Sequence, residues 1–260
     1  MLVSLTGDNI YGLDSSNSAK SMDAAFAPAV YSNIPWVAVL VDGFGNYNLE
    51  VGGVEDTDFE NTSLLNLYFL DSGDYSKVSF ISGFDWIKSS QQLWFQITSA
   101  NFQKAYMNEP MPQKEAALGL AYFHIPLPEY DNFDSSNFTC VKQDIIGAAS
   151  VNSGFFTTLV EAGDVKVVFA GHDRINDFCG KLTNLNLCLA GGFQYHASGK
   201  TGWQGEQEWW ELAWRKWRMV NGDLTTPLKH GNALMIKILP ELMLRSYGER
   251  MFKTTKSCHF

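Results

Sequence analysis

Five short apolar runs divide this chain: MLVSLTGD (1–8), PWVAVLVD (35–42), LNLYFLD (65–71), LGLAYFHIP (118–126) and KVVFAGHD (166–173). They are near-continuous rather than alternating, the pattern of strands covered on both faces. Each leads into an acidic residue or a histidine: Asp8, Asp42, Asp71, His124 and His172. In open α/β sheets ligands bind beyond the carboxyl ends of the strands, where loops converge on one rim. One strand ending in Asp means nothing. Five ending in Asp or His point to a metal or phosphate site in an α/β fold.

The individual segments differ in specificity. In TGDN (6–9) the carboxylate of Asp8 could reach two cations with its two oxygens. A Gly-Asp pair alone serves equally as a turn in which Asp8 caps the next segment. His124 closes a strand and is followed by Pro126 and Pro128, which restrict the exit path. A structural, hydrogen-bonded histidine and a ligand both fit there. His172 follows Gly171 in GHDRINDFCG (171–180), and imidazole suits iron, manganese or zinc. Two positions on stands Arg174, which cannot ligate a metal because it stays protonated. A guanidinium can instead take a phosphate in bidentate fashion.

Composition excludes some partners. The 260 residues carry a formal charge of −9, which argues against nucleic acid or an anionic membrane surface. At 45% hydrophobic and 18% charged, the chain has material for a sizeable core. No run of about 18 apolar residues suggests a membrane span. The N-terminus lacks a basic leader, so a cytoplasmic location is the default expectation. Four cysteines (Cys140, Cys179, Cys188 and Cys258) show no zinc-ribbon spacing. Cys179 and Cys188 flank GKLTNLNL, a segment that reads as a hairpin. They are either a local disulfide of an oxidising compartment or two small core residues. NTS (61–63) and NFT (137–139) are glycosylation sequons, relevant only to a secreted chain.

Between the strands, 85–107 reads as a helix with Trp86, Leu93, Trp94, Ile97 and Ala105 near one face. Residues 150–164 read as a helix ending at Gly163. The Gly- and Asp-rich stretch 42–63 reads as a loop or hairpin. In WWELAWRKW (209–217), Trp210, Ala213, Trp214 and Trp217 have helical spacing, which would give an amphipathic partner-binding or interfacial helix.

Together, TGDNI, IPWVAVL, VDGFGNYNLEV, LNLYFLDSGDYS, QQLWFQ, FHIPLPEY, VNSGFFTTLVEAGDVKVVFAGHD, NDFCG and YHASGKTGW resemble the calcineurin-like metallophosphoesterases. The likeness is strongest to plant purple-acid-phosphatase-like proteins of the inactive kind and covers residues 1–204. It implies a four-layer α/β/β/α sandwich, incomplete at the N-terminus and in the C-terminal part. It implies a phosphate ester substrate and an iron, manganese or zinc centre in which a metal-bound hydroxide attacks the ester. On this likeness Asp8 is the carboxylate bridging two metals, and His124 and His172 are ligands of one. Arg174 stands where the other metal's histidine belongs. An N-terminal DxH motif and a GNHD motif are absent, because IPWVAVL runs directly into VDGFGNYNLE, as if a segment near 40/41 were skipped. Asp42 therefore only looks like a motif residue. The resemblance leaves at most one metal and an impaired or absent hydrolase activity. A non-catalytic phosphate- or partner-binding protein on the same scaffold is the alternative. Full-length members look secretory.

Residues 205–260 depart from the family. A shifted-frame reading of QGEQEWW yields RRARVV, and KHGNALMIKILPELM yields TWKRLDD followed by NLTGID, both family-like text. A frame-shifted tail is thus preferred here to the amphipathic helix. Its tryptophans would then form exposed apolar surface. The absent first strand would leave an unpaired sheet edge.

Overall fold

All five apolar runs contain strands. A computed structural model describes residues 2–8, 17–32, 35–39, 45–52, 62–108, 113, 117–134, 136–191, 208–213, 233–237 and 253–256. The runs become β1 (Leu2–Leu5), β2 (Trp36–Ala38), β4 (Ser63–Phe69), β5 (Leu118–Phe123) and β7 (Val165–Ala170). Asp42 and the YHASGK stretch lie outside the described residues. The stretch 42–63, expected to be a loop or hairpin, contributes one described strand, β3 (Tyr47–Gly52), which pairs antiparallel with β4, the strand that begins at its far end.

One sheet has the order β3-β4-β5-β7-β9-β8-β6, with β6 (Phe138–Val141), β8 (Asp177–Leu182) and β9 (Leu185–Leu189). Its centre is parallel: β4, β5, β7 and β9 run side by side in one direction. Such strands need cover on both faces. On one face, Leu67, Phe69, Leu120, Tyr122, Val167 and Phe169 pack with Val37 and Val39 of the β2 segment, which belongs to a second sheet. On the other face, Tyr68, Phe123 and Val168 pack with Phe95 of α2 (Ser89–Asn108) and Phe155 and Leu159 of α3 (Phe155–Ala162). Beyond the second sheet lies α1 (Ser18–Tyr31), whose Phe26 stacks on Trp36 of β2 at 5.2 Å. The layering is therefore helix, sheet, sheet, helix, in agreement with the expected α/β/β/α arrangement.

Two expectations about helices need correction. In α2 the buried face holds Phe95 and Ser99, while Leu93 and Ile97 are about half exposed. The deciding contacts are tertiary. Phe95 meets Tyr68 and Phe155 edge-on, at 4.9 and 5.7 Å, and aromatic burial outweighs aliphatic periodicity. The second helix is shorter than 150–164. It begins after Gly154 and does stop at Gly163, whose N–H reaches the carbonyl of Leu159.

The second sheet has the order β12-β10-β11-β1-β2, with β10 (Glu208–Ala213), β11 (Ala233–Lys237) and β12 (Lys253–Lys256). Glu208–Ala213 is a strand, so the helical spacing of Trp210 and Ala213 is not used; Trp214 and Trp217 lie outside the described residues. β1 has a neighbour on each side, parallel β2 and antiparallel β11, so the edge expected to be unpaired is covered at this strand.

Candidate metal centre

The β1, β5 and β7 strands all end at one place. After β5, the carbonyl of His124 accepts the N–H of Gly171 (3.1 Å), which locks the two exits together. After β1, Gly7 lies against His124 with φ +108; a Cβ there would sit 2.1 Å from the His124 Nδ1. Only glycine allows that approach. Asp8 and His172 also have positive φ, at 50 and 70, which turns each side chain sharply out of its strand. For non-glycine residues this backbone is strained, and such strain concentrates at functional sites.

His124 is 2% exposed. Its Nδ1 donates to the carbonyl of Thr6 (2.7 Å), so its Nε2 presents a lone pair. That Nε2 faces Asp8 Oδ1 at 3.5 Å and His172 Nδ1 at 3.2 Å. Three acceptor-type atoms thus converge, and ligand atoms of all three residues lie within 4.8 Å of one another. Donors around a tetrahedral ion at about 2.0–2.1 Å stand about 3.3 Å apart, so the observed spacing fits a metal. The Thr6 carbonyl supplies the outer contact that fixes a ligating imidazole's tautomer. Without a cation, one proton between His172 and His124 must do the same electrostatic work. The residues fit a metal; the donor set of one carboxylate and two imidazoles does not say which.

Burial holds both imidazoles neutral. It pushes His124 below its ordinary value, against an upward pull from Asp8 and Thr6. It pushes His172 down to about 4, with the neighbouring His124 adding to the fall. Neutral imidazole is the ligating form. On the other flank of the carboxylate, Arg174 Nη2 lies 3.2 Å from Asp8 Oδ2. The four residues singled out in the sequence are therefore together. Asp71 ends its strand as expected, but its Oδ1 caps the Gly73 N–H (2.9 Å) and it is outside the triad.

Sequence reasoning missed the supports. Ser72 is buried, and its hydroxyl accepts the backbone N–H groups of His124 (3.2 Å) and Ile125 (2.8 Å). Asn176 is fully buried. Its Oδ1 takes the N–H groups of Gln143 and Asp144, and its Nδ2 reaches the Asp144 carbonyl and Asp173. Asp173 in turn accepts the Gly147 N–H (3.0 Å). A Cβ on Gly147 would meet the His172 ring at 2.7 Å. This network seats the 143–147 loop under His172. Phe84 packs edge-on against the same ring at 4.2 Å. Only the polar residue after the strand end, as in SG and RIND, hinted at any of this.

The Cys179–Cys188 alternative is resolved. β8 and β9 form the expected hairpin, and the two cysteines are directly opposed and disulfide-bonded, with Cα atoms 4.2 Å apart.

No family model matches the chain. It is 51% identical over 240 residues to "Probable inactive purple acid phosphatase 29" of Arabidopsis thaliana, covering 78% of this chain and 62% of the relative. It is 43% identical to "Probable inactive purple acid phosphatase 14" of the same plant, covering 78% and 60%. "Phosphatase DCR2" of Saccharomyces cerevisiae is 32% identical, covering 74% and 39%. The chain therefore spans about three fifths of the length of the plant relatives. A crystal structure of a dimetal phosphatase from Danio rerio covers 74% of the chain at 13% identity and a TM-score of 0.47, a likeness too loose to carry a conclusion. With half of its aligned residues shared with the first of these relatives, and its strand-end aspartate and histidines gathered at one rim, the chain belongs to the purple-acid-phosphatase-like branch of the calcineurin-like metallophosphoesterases.

Proposed function

We propose that this chain holds a single iron, manganese or zinc ion on Asp8, His124 and His172, binds the phosphate of an ester through Arg174, and hydrolyses it poorly or not at all. The observation that carries this reading is the 3.2 Å contact of Arg174 with Asp8 Oδ2. Where the family resemblance places a second metal beside the bridging carboxylate, a fixed guanidinium stands instead. It supplies positive charge and a phosphate fork but no activated water. A bound metal would polarise a phosphoryl oxygen. His124 and His172, held neutral by burial, would be its imidazole ligands.

The test is stoichiometry with turnover. Titration with zinc or manganese should saturate at one ion per chain, and an aryl phosphate should turn over weakly at best. Two ions per chain, or efficient turnover abolished by His172→Ala, defeats the reading. Inorganic phosphate bound without metal, and lost in Arg174→Ala, would favour the purely phosphate-binding alternative. We also infer that residues 1–204 form the phosphoesterase domain and that 205–260 come from a shifted frame. The plant relatives match 78% of the chain, a share equal to that of 1–204. Codons in the transcript incompatible with the shifted text would end that part.

A further inference from the structure

Beyond β4 the chain folds back on itself as a short hairpin. Tyr75 and Phe84 form an isolated antiparallel bridge. The bridge is backed by the Ser76 N–H on the Gly83 carbonyl (2.8 Å) and the Asp85 N–H on the Asp74 carbonyl (2.9 Å). The Phe84 carbonyl also accepts the Ser150 N–H (3.0 Å), which pins the hairpin to the segment that follows the 143–147 loop. Its side chains are therefore placed before any ligand arrives, and a preformed surface loses less entropy on binding.

Directly opposed residues of an antiparallel pair carry their side chains on the same face. Phe84 shows which face this is. Its ring meets the His172 imidazole edge-on at 4.2 Å and the Tyr75 ring at 5.3 Å. His172, Phe84 and Tyr75 thus form a row of rings that starts at the metal triad and runs outward. Exposure rises along it: His172 and Phe84 are part-buried, and Tyr75 is 62% exposed even with Phe84 against it. An aromatic serving only to pack would turn its ring inward, as Phe69 and Tyr122 do between the sheets. Tyr75 instead leaves a ring open to solvent, two rings away from a metal ligand.

We propose that this row takes the organic half of the ester, and that the ligand class is an aryl phosphate, a monoester whose bridging oxygen sits on a flat apolar ring. The inference rests on the reading above, in which Arg174 and the metal hold the phosphate. In an aryl ester only one oxygen separates phosphorus from the ring, so a phosphoryl group beside His172 sets that ring against Phe84 and Tyr75. Offset or edge-on ring pairs add to the gain from burying apolar area. An ester of glycerol or another hydrated alcohol would shed water onto an apolar face and gain less. Tyr75 is then a specificity-determining residue that touches the leaving group and not the phosphate.

Methylphosphonate and benzylphosphonate test this directly. They share an anionic head, resist hydrolysis and differ by one phenyl ring. Isothermal titration of the full chain with zinc present measures both, with inorganic phosphate as the reference for the head alone. Benzylphosphonate should bind roughly fivefold or more tighter than methylphosphonate. Tyr75→Ala should bring that ratio below about twofold, and Tyr75→Phe should restore it. The ratio in the unsubstituted chain decides the ligand class even if a variant misfolds. Equal affinities for the two phosphonates, or a ratio that Tyr75→Ala leaves intact, overturn the proposal. If inorganic phosphate still binds and is weakened in Arg174→Ala, the underlying reading survives that loss. Inorganic phosphate that does not bind at all overturns both.

Discussion

The two oxygens of the Asp8 carboxylate look onto different chemistry. Oδ1 faces His124 Nε2 at 3.5 Å, with His172 just beyond; Oδ2 faces the Arg174 guanidinium at 3.2 Å. The histidine side presents lone pairs held in place by burial and by hydrogen bonds from outside. The arginine side presents a permanent cation. In the proposed reading the metal sits on the first, and on the second the position is taken by charge of the same sign. A two-metal clamp stabilises both the attacking and the leaving oxygens. A half-site with a guanidinium opposite can bind a phosphate and still lack the nucleophile.

The sharpest way to break this comparison is to remove a ligand from the histidine side. His172→Ala should lower zinc affinity by more than about 100-fold, since even outer-sphere losses cost about 10–100-fold. Isothermal titration checks it, and an unchanged affinity would place the metal elsewhere.

Next in size is Asn176→Ala. It strands the N–H groups of Gln143 and Asp144 and frees the loop beneath His172. Urea denaturation should show a loss of about 2–4 kcal/mol. Zinc affinity should fall roughly tenfold at the same time. A loss of stability without any loss of affinity would detach the network from the site.

Arg174→Ala should move the two sides in opposite directions. Removing a cation from Asp8 should raise divalent-metal affinity roughly fivefold, as expected for about 1 kcal/mol of repulsion near the surface. Phosphate binding should weaken. If both fall, Arg174 serves the architecture of the site and not its charge.

The smallest effect is in pH. In the metal-free chain His172 has its value lowered to about 4 from 6.5, so the unfolded chain binds its proton first. Stability therefore rises as pH increases from about 4 to 6.5, and burial of His124 acts in the same sense. Asp173 runs the other way. Burial raises it to about 6 from 3.8, so its contribution is present at low pH and lost as pH rises through 6. The opposed slopes should leave a shallow curve. Asp173→Asn removes one of them and should steepen the rise between pH 4 and 6.5 in chelator, read as thermal midpoints. A variant curve no steeper than the parent's would show that Asp173 is not the counterweight.

Much of this architecture was legible from residue order. Short near-continuous apolar runs rich in β-branched and aromatic residues read as strands covered on both faces, which demands layers outside them. Aspartate and histidine after such runs have one rim to meet on, and Asp8, His124, His172 and Arg174 do meet there. The buried face of α2 was not legible, because Leu93 and Ile97 satisfy helical spacing as well as Phe95 does. Neither was the strand at Glu208–Ala213, where tryptophan spacing suited a helix and pairing with β11 and β12 prevailed.

By itself, then, the order of residues determined which side chains stand at strand ends and that Arg174 cannot ligate. Both follow from local chemistry: apolar runs extend, and a guanidinium stays charged. Only the tertiary structure decided that His124 Nδ1 is spent on the Thr6 carbonyl, that Gly7 must be glycine, and that Asn176 and Ser72 hold the histidines. These depend on contacts between segments more than thirty residues apart, and no local pattern records which distant backbone will come within a hydrogen bond.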